Sequence, residues 1–347
     1  MFDGIIETVN LNIATVRKTL QTNDKIRDIV FGKDSLIRQK LDDNEKLTEL
    51  IQVVPNETEW QVYEHCAVVT RLYAIYERFV EDLITDWLGL IPNVVSHYSD
   101  LPDKIKNTHR EGVGRLLLDL NKSRFKNLSV EKVVRGLLYG VAGNEPYELI
   151  PDAFLLHEQN LRKDTLDKLF AEAGIENAWK WVINHRDIKN FIEEIRGDQN
   201  TAEGELNQLV AYRNEAAHGS VDQILGTQEL LDMGDFVENL CQALVELVTY
   251  QVILKHAVIG QAREIGTIRQ WLDKNKVARA KISAVTLSVG ETIFLVKETS
   301  SYCLLATIES IRDNEIAKEQ VEITTEKEVH LKFNVEAKKG LSLYVIS

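Results

Sequence analysis

Apolar residues recur at intervals of three and four from Phe2 to about Ile259, which is the pattern of packed amphipathic helices. The clearest helix is predicted over Trp60–Leu90, and breakers at Gly89 and Pro92 are expected to end it. Further helices are predicted over six segments: Lys104–Asn121, Ser129–Val141, Asn160–Glu172, Ala178–Ile195, Glu203–Ala217 and Thr227–Ala257. The pattern therefore predicts a helical region that covers roughly the first three quarters of the chain.

After about Val277 the pattern changes to short runs in which apolar and polar residues alternate. Such alternation is typical of strands with one face buried and one face exposed. Turn-forming residues at Gly290, Asp313-Asn314 and Lys339-Gly340 separate several of these runs. The close spacing predicts a small antiparallel β-barrel of five to seven strands.

Together, the two patterns predict an α+β chain in which a large all-α domain precedes a small β-barrel. The expected boundaries are an N-terminal helical extension at 1–58, a helical domain at 59–259, a linker helix at 260–276 and the barrel at 277–347.

Composition narrows the class of protein. The 347 residues are 44% hydrophobic and 27% charged, as in globular proteins, and no apolar run approaches the length of a membrane span. The N-terminus lacks a basic region followed by an apolar core, and the three cysteines lie far apart. We therefore expect a cytoplasmic protein without membrane association. The net charge of −13 argues against bulk coating of nucleic acid but leaves room for a small basic cleft.

Sequence motifs for metals and nucleotides are missing. The eight histidines and three cysteines form no HExxH, HxH or CxxC pattern, and no GxxxxGK[ST] loop occurs. We expect neither a metal nor a cofactor, with a metal site assembled from distant residues as a minor alternative.

The segment that carries chemistry runs from Leu209 to Gly219 and places Arg213, Asn214 and His218 within six residues. Metal-free RNA cleavage needs a base for the ribose 2′-OH, a donor to the charged phosphate, and an acid for the leaving 5′ oxygen. A histidine suits the first or third role because imidazole titrates near neutral pH, and an arginine binds phosphate as a permanently charged fork.

Helical spacing constrains how these side chains could cooperate. Asn214 and His218 are four residues apart and share a face, whereas Arg213 and His218 lie about 140° apart on an ideal helix. Arg213 and His218 could reach one phosphate only if the helix ends or bends here, or if a second subunit contributes its own copy. The alternative is structural: Arg213 and Asn214 form surface or capping bonds, and His218 interacts with the helix dipole.

The run Arg213-Asn214-xxx-His218-Gly219 resembles the Arg-x4-6-His motif of the HEPN superfamily, within a helical region. Two further stretches are similar to the RiboL-PSP branch of that superfamily: Tyr73–Glu81, and Asn160–Phe170 with Gly174-Ile175. The resemblance covers roughly Glu59 to His256. It implies a dimeric, metal-independent endoribonuclease from prokaryotic conflict and defence loci, whose RNA product carries a 2′,3′-cyclic phosphate.

Carried over by position, the resemblance implies that Arg213 stabilises the phosphate, His218 is the catalytic histidine and Asn214 is the accompanying polar residue. HEPN toxins silenced by a nucleotidyltransferase often carry a tyrosine two residues after the histidine, where this chain has Ser220. We therefore expect some other restraint on activity, such as a regulatory protein partner from the same locus.

The implied partners are an RNA substrate, with tRNA among the candidates, and a second copy of the chain. The β region resembles the small barrels of translation GTPases in three stretches: Val289–Phe294, Ala306–Ser310 and Val329–Phe333. Such a barrel could bind RNA, bind a protein or serve only for packing. Two other functions stay open, namely a non-catalytic HEPN scaffold that binds a partner protein or nucleotide, and a plain helical interaction protein.

Overall fold

The computed structural model describes residues 2–32, 49, 51–143, 146–156, 159–197, 199–219, 221–314 and 316–346. The position expected to matter for nucleotidylation, Ser220, lies outside the described residues, as does most of 33–50 in the predicted N-terminal extension. The described residues form a helical domain followed by an antiparallel β-barrel, which confirms the α+β prediction.

The helical domain contains nine helices among the described residues: α1 Asp3–Phe31, α2 Glu57–Val94, α3 Asp103–Asp119, α4 Val130–Ala142, α5 Lys163–Glu172, α6 Ala178–Asn184, α7 Arg186–Asn190, α8 Ala202–His218 and α9 Thr227–Val258. A π-helical turn at Phe191–Ile195 continues α7, and short 3-10 turns lie at Tyr98–Asp100, Ser123–Phe125 and Pro151–Ala153. No helix in the described parts of the chain is long and apolar enough to cross a membrane.

The longest helix, α2, begins at a capping box and continues past Gly89 and Pro92, the two residues that were expected to end it. The Asn56 side chain accepts a hydrogen bond from the Glu59 backbone N–H at 2.9 Å, and Glu59 in turn accepts from the Asn56 backbone. The helix continues through Gly89 and Pro92 because its apolar face stays buried there, as at Ile91. The predicted helix end was therefore placed too early.

The first helix, α1, packs against α2 and α9 in the core of the helical domain. Its inward positions are Val9, Ile13, Val16 and Leu20. On its surface, Arg17 forms ion pairs with Asp235 and Glu238 of α9. The segment predicted as an N-terminal extension thus contributes a core helix to the domain.

The predicted helix over Ala178–Ile195 is broken at His185, whose backbone is extended (φ −65°, ψ 138°). The Nδ1 atom of His185 accepts a hydrogen bond from the Asp187 backbone N–H at 3.4 Å, which starts α7 in the manner of a cap. The break turns the chain between α6 and α7, so one predicted helix becomes two shorter ones.

The β region contains nine antiparallel strands among the described residues: β1 Ala262–Leu272, β2 Val277–Ile282, β3 Val285–Ser288, β4 Thr292–Lys297, β5 Tyr302–Asp313, β6 Ile316–Lys318, β7 Gln320–Ile323, β8 Lys327–Phe333 and β9 Ser342–Ile346. Six strands close in the order β4-β9-β1-β2-β8-β5, because β4 pairs with both β9 and β5. β6 extends the sheet beyond β5, and β3 pairs with β7.

The predicted linker helix at 260–276 is wrong, because this segment contains the strand β1, Ala262–Leu272, which pairs with β2 and β9. Ile265 and Ile268 are buried inside the barrel, and Gly260 adopts φ +74° where the chain leaves α9. The barrel therefore starts 15 residues earlier than the boundary predicted at Val277.

Candidate functional site

Helix α8 carries the candidate residues, and its ends follow from local sequence. The Thr201 hydroxyl accepts a hydrogen bond from the Gly204 backbone N–H at 3.0 Å and caps the start. Gly219 adopts the left-handed conformation (φ +73°) and donates its N–H to the Glu215 carbonyl, which ends the helix. His218 is therefore the last residue of α8.

Burial and an ion-pair network fix α8 within the domain. Its apolar residues Leu206, Leu209 and Val210 are buried in the core, where α8 packs along α2. Near its start, Arg196 binds both oxygens of Glu205 at 2.8 and 3.0 Å and also contacts Asp232 of α9 at 3.1 Å. The α8 backbone is thus held on two sides.

Arg213 and Asn214 meet a third polar side chain, Asn160, from the loop before α5. Arg213 Nη1 donates to Asn160 Oδ1 at 3.1 Å and to Asn214 Oδ1 at 3.0 Å. Asn160 Nδ2 donates to Asn214 Oδ1 at 3.1 Å. The three side chains form a closed polar triangle, and the guanidinium has a defined position.

The ring of Tyr73 on α2 packs against the same guanidinium. The Arg213 guanidinium carbon lies 4.7 Å from the centre of the Tyr73 ring, within cation–π distance. The Tyr73 hydroxyl accepts from the Leu161 backbone N–H at 3.0 Å and donates to Glu77 at 3.1 Å. Burial raises the pKa of Tyr73 to about 12, so the hydroxyl stays protonated and can act as a donor.

His218 stands apart from this cluster. Its side chain is exposed and has no hydrogen bond or ion pair with the described part of the chain. It follows Arg213 by five residues on a continuous helix, which corresponds to about 7.5 Å along the axis and about 140° around it. Within one chain, Arg213 and Asn214 are brought together, whereas His218 shares the face of Asn214 one turn further along and makes no contact with the cluster.

Sequence reasoning did not assign Tyr73 or Asn160 to the site. Each begins one of the two stretches that resemble the RiboL-PSP branch, so that resemblance was the available signal. Their contact with Arg213 depends on tertiary packing, which no local spacing reveals.

Over the described residues, no three His, Cys, Asp or Glu side chains converge in a way that could hold a metal ion. In the polar triangle both amide oxygens already accept hydrogen bonds from Arg213, and the permanently charged guanidinium suits an anion better than a metal.

Comparison with protein families decides the identity of the helical region. Residues 34–250 match the family model described as RiboL-PSP-HEPN. The chain belongs to the RiboL-PSP-HEPN family. The matched range of this HEPN chain contains the whole polar triangle, Tyr73 and His218. Searches of curated proteins and of solved structures find no significant match.

HEPN domains are often ribonucleases, so family membership supports an RNA-related role as the broad functional class. The match ends before the β-barrel, whose resemblance to the barrels of translation GTPases stays a prediction.

Proposed function

We propose that this HEPN chain is a cytoplasmic, metal-independent endoribonuclease of a prokaryotic defence or toxin system. In the proposed reaction the ribose 2′-oxygen attacks the adjacent phosphorus, the bond from phosphorus to the 5′ oxygen breaks, and a 2′,3′-cyclic phosphate and a 5′-hydroxyl form. The observation that carries the proposal is the fixed Arg213 guanidinium beside the helix end that presents His218.

Arg213 is suited to hold the phosphate. Its Nη1 atom is used by Asn160 and Asn214, whereas its Nε and Nη2 donors have no hydrogen-bond partner among the described residues. A guanidinium held at Nη1 and against the Tyr73 ring offers its remaining donors in a defined direction. Arg213 would neutralise charge on the phosphorane-like transition state.

His218 supplies the proton transfer in this proposal. An exposed imidazole at the end of a helix can accept the 2′-OH proton or donate a proton to the leaving 5′ oxygen. Both steps are needed in one turnover, and two copies of His218 in a homodimer could provide one base and one acid.

The separation of Arg213 and His218 around α8 supports the same dimer. Since the two side chains diverge by about 140°, one helix does not present both to a single phosphate without help. A second copy of the chain placed against the C-terminal end of α8 would add the missing side chains. The barrel would help to present RNA at this cleft, and a protein from the same locus would restrain the activity.

The experiment that tests the proposal is incubation of the protein with total RNA and with tRNA in excess EDTA. Cleavage by the parent and at least a 100-fold loss in Arg213→Ala and His218→Ala would support it. The matched control is His256→Ala, which replaces a surface histidine outside the site and should cleave RNA as the parent does. Equal cleavage by all four proteins would contradict the assignment of the site.

Mixing the two inactive variants tests the shared site. If each cleft takes Arg213 from one copy and His218 from the other, a mixture of Arg213→Ala and His218→Ala should regain about a quarter of the parent activity, by statistical pairing. If one cleft needs both copies of His218 as base and acid, the mixture should stay inactive, because each mixed dimer keeps only one His218. Sedimentation should show a dimer for the parent and both variants. A monomer with full activity would contradict the dimer cleft, and a folded dimer without nuclease activity would favour the scaffold alternative.

A further inference from the structure

The outside of the barrel carries a row of basic side chains across three neighbouring strands. Arg279 of β2 lies directly opposite His330 of β8, which in turn lies directly opposite Arg312 of β5. Directly opposite residues of an antiparallel pair share one face of the sheet, with Cβ atoms about 4.5–5.5 Å apart. Leu331 and Ile311, which alternate with the row along their strands, are buried inside the barrel. The row therefore faces outward, and both arginines are exposed.

The row continues onto β1. Gln270 lies directly opposite Arg279 and accepts a hydrogen bond from its Nη1 atom at 3.5 Å. A β-bulge between Ile268 and Gln270 inserts Arg269, which is exposed. Because Ile268 and Trp271 pack into the barrel interior, Arg269 and Gln270 both lie on the outside. The bulge thus adds a third arginine to the same surface.

The lysines beside the row differ from its arginines, because carboxylates lie next to them. Lys281 is 2.6 Å from Glu326, and Lys332 is 2.7 Å from Glu309. Glu328 lies directly opposite Lys281 in the β2–β8 ladder. Within the described parts of the chain, the three arginines of the row form no ion pair. Their charge is therefore available to an anionic partner.

The helical domain leaves this surface open. The barrel residues that join the core of the helical domain lie at the starts of β1 and β5 and on β4, as Ala262, Cys303 and Phe294 do. Arg279 is instead on β2, and Arg312 is near the opposite end of β5. The row is thus exposed on a part of the barrel that the helical domain does not cover.

We propose that the surface formed by Arg269, Gln270, Arg279, His330 and Arg312, which we call the arginine face, binds the phosphate backbone of RNA. The inference rests on the proposed ribonuclease function and names the surface of the barrel that would hold the substrate. It predicts binding with little sequence preference, because contacts to phosphates position a nucleic acid without reading its bases.

The chemistry of the arginine face favours RNA over a protein. Each guanidinium presents several N–H donors in a planar fork that matches a phosphate, and Arg279 and Arg312 lie two strands apart, about 10 Å. Several phosphates of one strand can therefore be bound at once. The face has no large apolar side chain, whereas a stable protein interface has an apolar centre. Since the whole chain has a net charge of −13, this local cluster also provides the basic surface that RNA requires.

The test measures binding of the intact protein to a fluorescent 2′-O-methyl RNA oligonucleotide, which cannot be cleaved by 2′-oxygen attack. Fluorescence anisotropy is recorded in EDTA over a series of KCl concentrations. Arg279→Gln/Arg312→Gln should weaken binding at least about tenfold at 0.1 M KCl. The slope of log Kd against log [KCl] should fall by about 1.4, or about 0.7 for each lost phosphate contact.

Two further variants separate the arginine face from overall charge and from folding. Arg78→Gln/Arg135→Gln removes two exposed arginines of the helical domain and should bind as the parent does. Arg279→Lys/Arg312→Lys keeps the charge and should keep most of the salt dependence. An unchanged Kd and slope in Arg279→Gln/Arg312→Gln, an equal loss in Arg78→Gln/Arg135→Gln, or no binding by the parent would overturn the proposal.

Cleavage assays distinguish failure of this inference from failure of the proposed function. RNA binding that depends on the arginine face, without cleavage by the parent, would refute the nuclease and leave the binding surface supported. Cleavage by the parent together with unchanged RNA binding in Arg279→Gln/Arg312→Gln would refute only the arginine face. If that variant binds RNA normally but sediments as a smaller species, the face is a protein interface and the RNA proposal is overturned.

Discussion

Asn160 accepts a hydrogen bond from Arg213 at 3.1 Å although the two residues lie 53 positions apart in the chain. The same amide donates to Asn214, so one side chain from the loop before α5 orients two neighbouring residues of α8. A guanidinium oriented in this way is prepared for an anion before the anion arrives, which lowers the reorganisation needed in a transition state.

Replacement of Asn160 should therefore reduce cleavage through Arg213. A hydrogen bond to a charged group contributes about 1.5–3 kcal/mol, so Asn160→Ala should lower kcat/KM roughly 10- to 100-fold. Asn107→Ala removes an amide exposed on α3 and should leave cleavage unchanged. Full activity in folded Asn160→Ala would mean that the triangle does not matter to Arg213.

The Tyr73 ring and hydroxyl have separable roles. Tyr73→Phe keeps the ring against Arg213 but leaves the Leu161 N–H without its acceptor, at a cost of about 1–3 kcal/mol of unfolding free energy. Tyr73→Ala also removes the ring. Urea unfolding and cleavage kinetics should show that Tyr73→Phe is less stable than the parent but still active. Tyr73→Ala should lose both stability and activity. Equal catalytic loss in the two variants would contradict a role for the ring.

The junction between helical domain and barrel centres on Glu246 of α9, which is 1% exposed. It accepts from Arg186 at 2.8 Å and from the Cys303 backbone N–H of β5 at 3.0 Å, and His185 lies 3.3 Å away. Burial acts to raise the pKa of Glu246, but the Arg186 and His185 side chains outweigh it and hold the pKa at about 2.

Glu246→Ala should cost about 3–5 kcal/mol of unfolding free energy, because it leaves the largely buried Arg186 with only the partly exposed Asp187, at 3.4 Å, as an ion-pair partner. Glu176→Ala breaks an exposed pair with Lys104 and should cost less than about 1 kcal/mol. Since the pKa of Glu246 is depressed, its stabilisation is present above about pH 4.5 and is lost as the pH falls towards 2. Chemical denaturation at pH 7 measures the free energy of unfolding of both variants. Equal losses in Glu246→Ala and Glu176→Ala would contradict the stabilising role assigned to Glu246.

His109 should make the free energy of unfolding depend on pH between about 4 and about 6.5, closer to neutral pH than the range for Glu246. It is fully buried, accepts from the Ile150 backbone N–H at 3.2 Å and lies 3.1 Å from the Tyr98 hydroxyl. Burial lowers the pKa of His109 to about 4, against about 6.5 in an unfolded chain. The folded state therefore binds fewer protons, and on the order of 3 kcal/mol of stability present above pH 6.5 is lost as the pH falls towards 4.

The measurement is the free energy of unfolding in urea at pH 7 and at pH 4 for the parent, His109→Gln and His256→Gln. His109→Gln should show a smaller difference between the two pH values than the parent. His256→Gln changes a surface histidine and should keep the parent's difference. An unchanged difference in His109→Gln would place the titrating group elsewhere.

Much of the architecture follows from periodicity, because helices and strands leave different spacings of apolar residues in the sequence. The position of His218 at the end of α8 follows from Gly219, because glycine readily adopts the left-handed conformation that ends a helix. The errors lie where packing overrides local signals. Pro92 sits inside α2 because the surrounding apolar face is buried, and β1 could be recognised only through its pairing with β2 and β9.

The residues of the candidate site could likewise be predicted only in part from the sequence. Arg213, Asn214 and His218 are close in sequence and could be found as a motif, whereas Tyr73 and Asn160 reach Arg213 from other elements. The sequence contained both residues in stretches of family resemblance but gave no reason to join them to the motif. Their contact arises from the packing of α8 along α2 and from the loop before α5.

In the proposed reaction, the 2′-hydroxyl of RNA attacks its adjacent phosphate without a metal. The most direct measurement uses an RNA oligonucleotide with one mapped cleavage site and the same oligonucleotide with a single 2′-deoxy nucleotide at that site, both in excess EDTA. We predict cleavage of the first to a 2′,3′-cyclic phosphate and no cleavage of the second at that position. Cleavage of the deoxy-substituted strand at the mapped site would contradict attack by the 2′-hydroxyl.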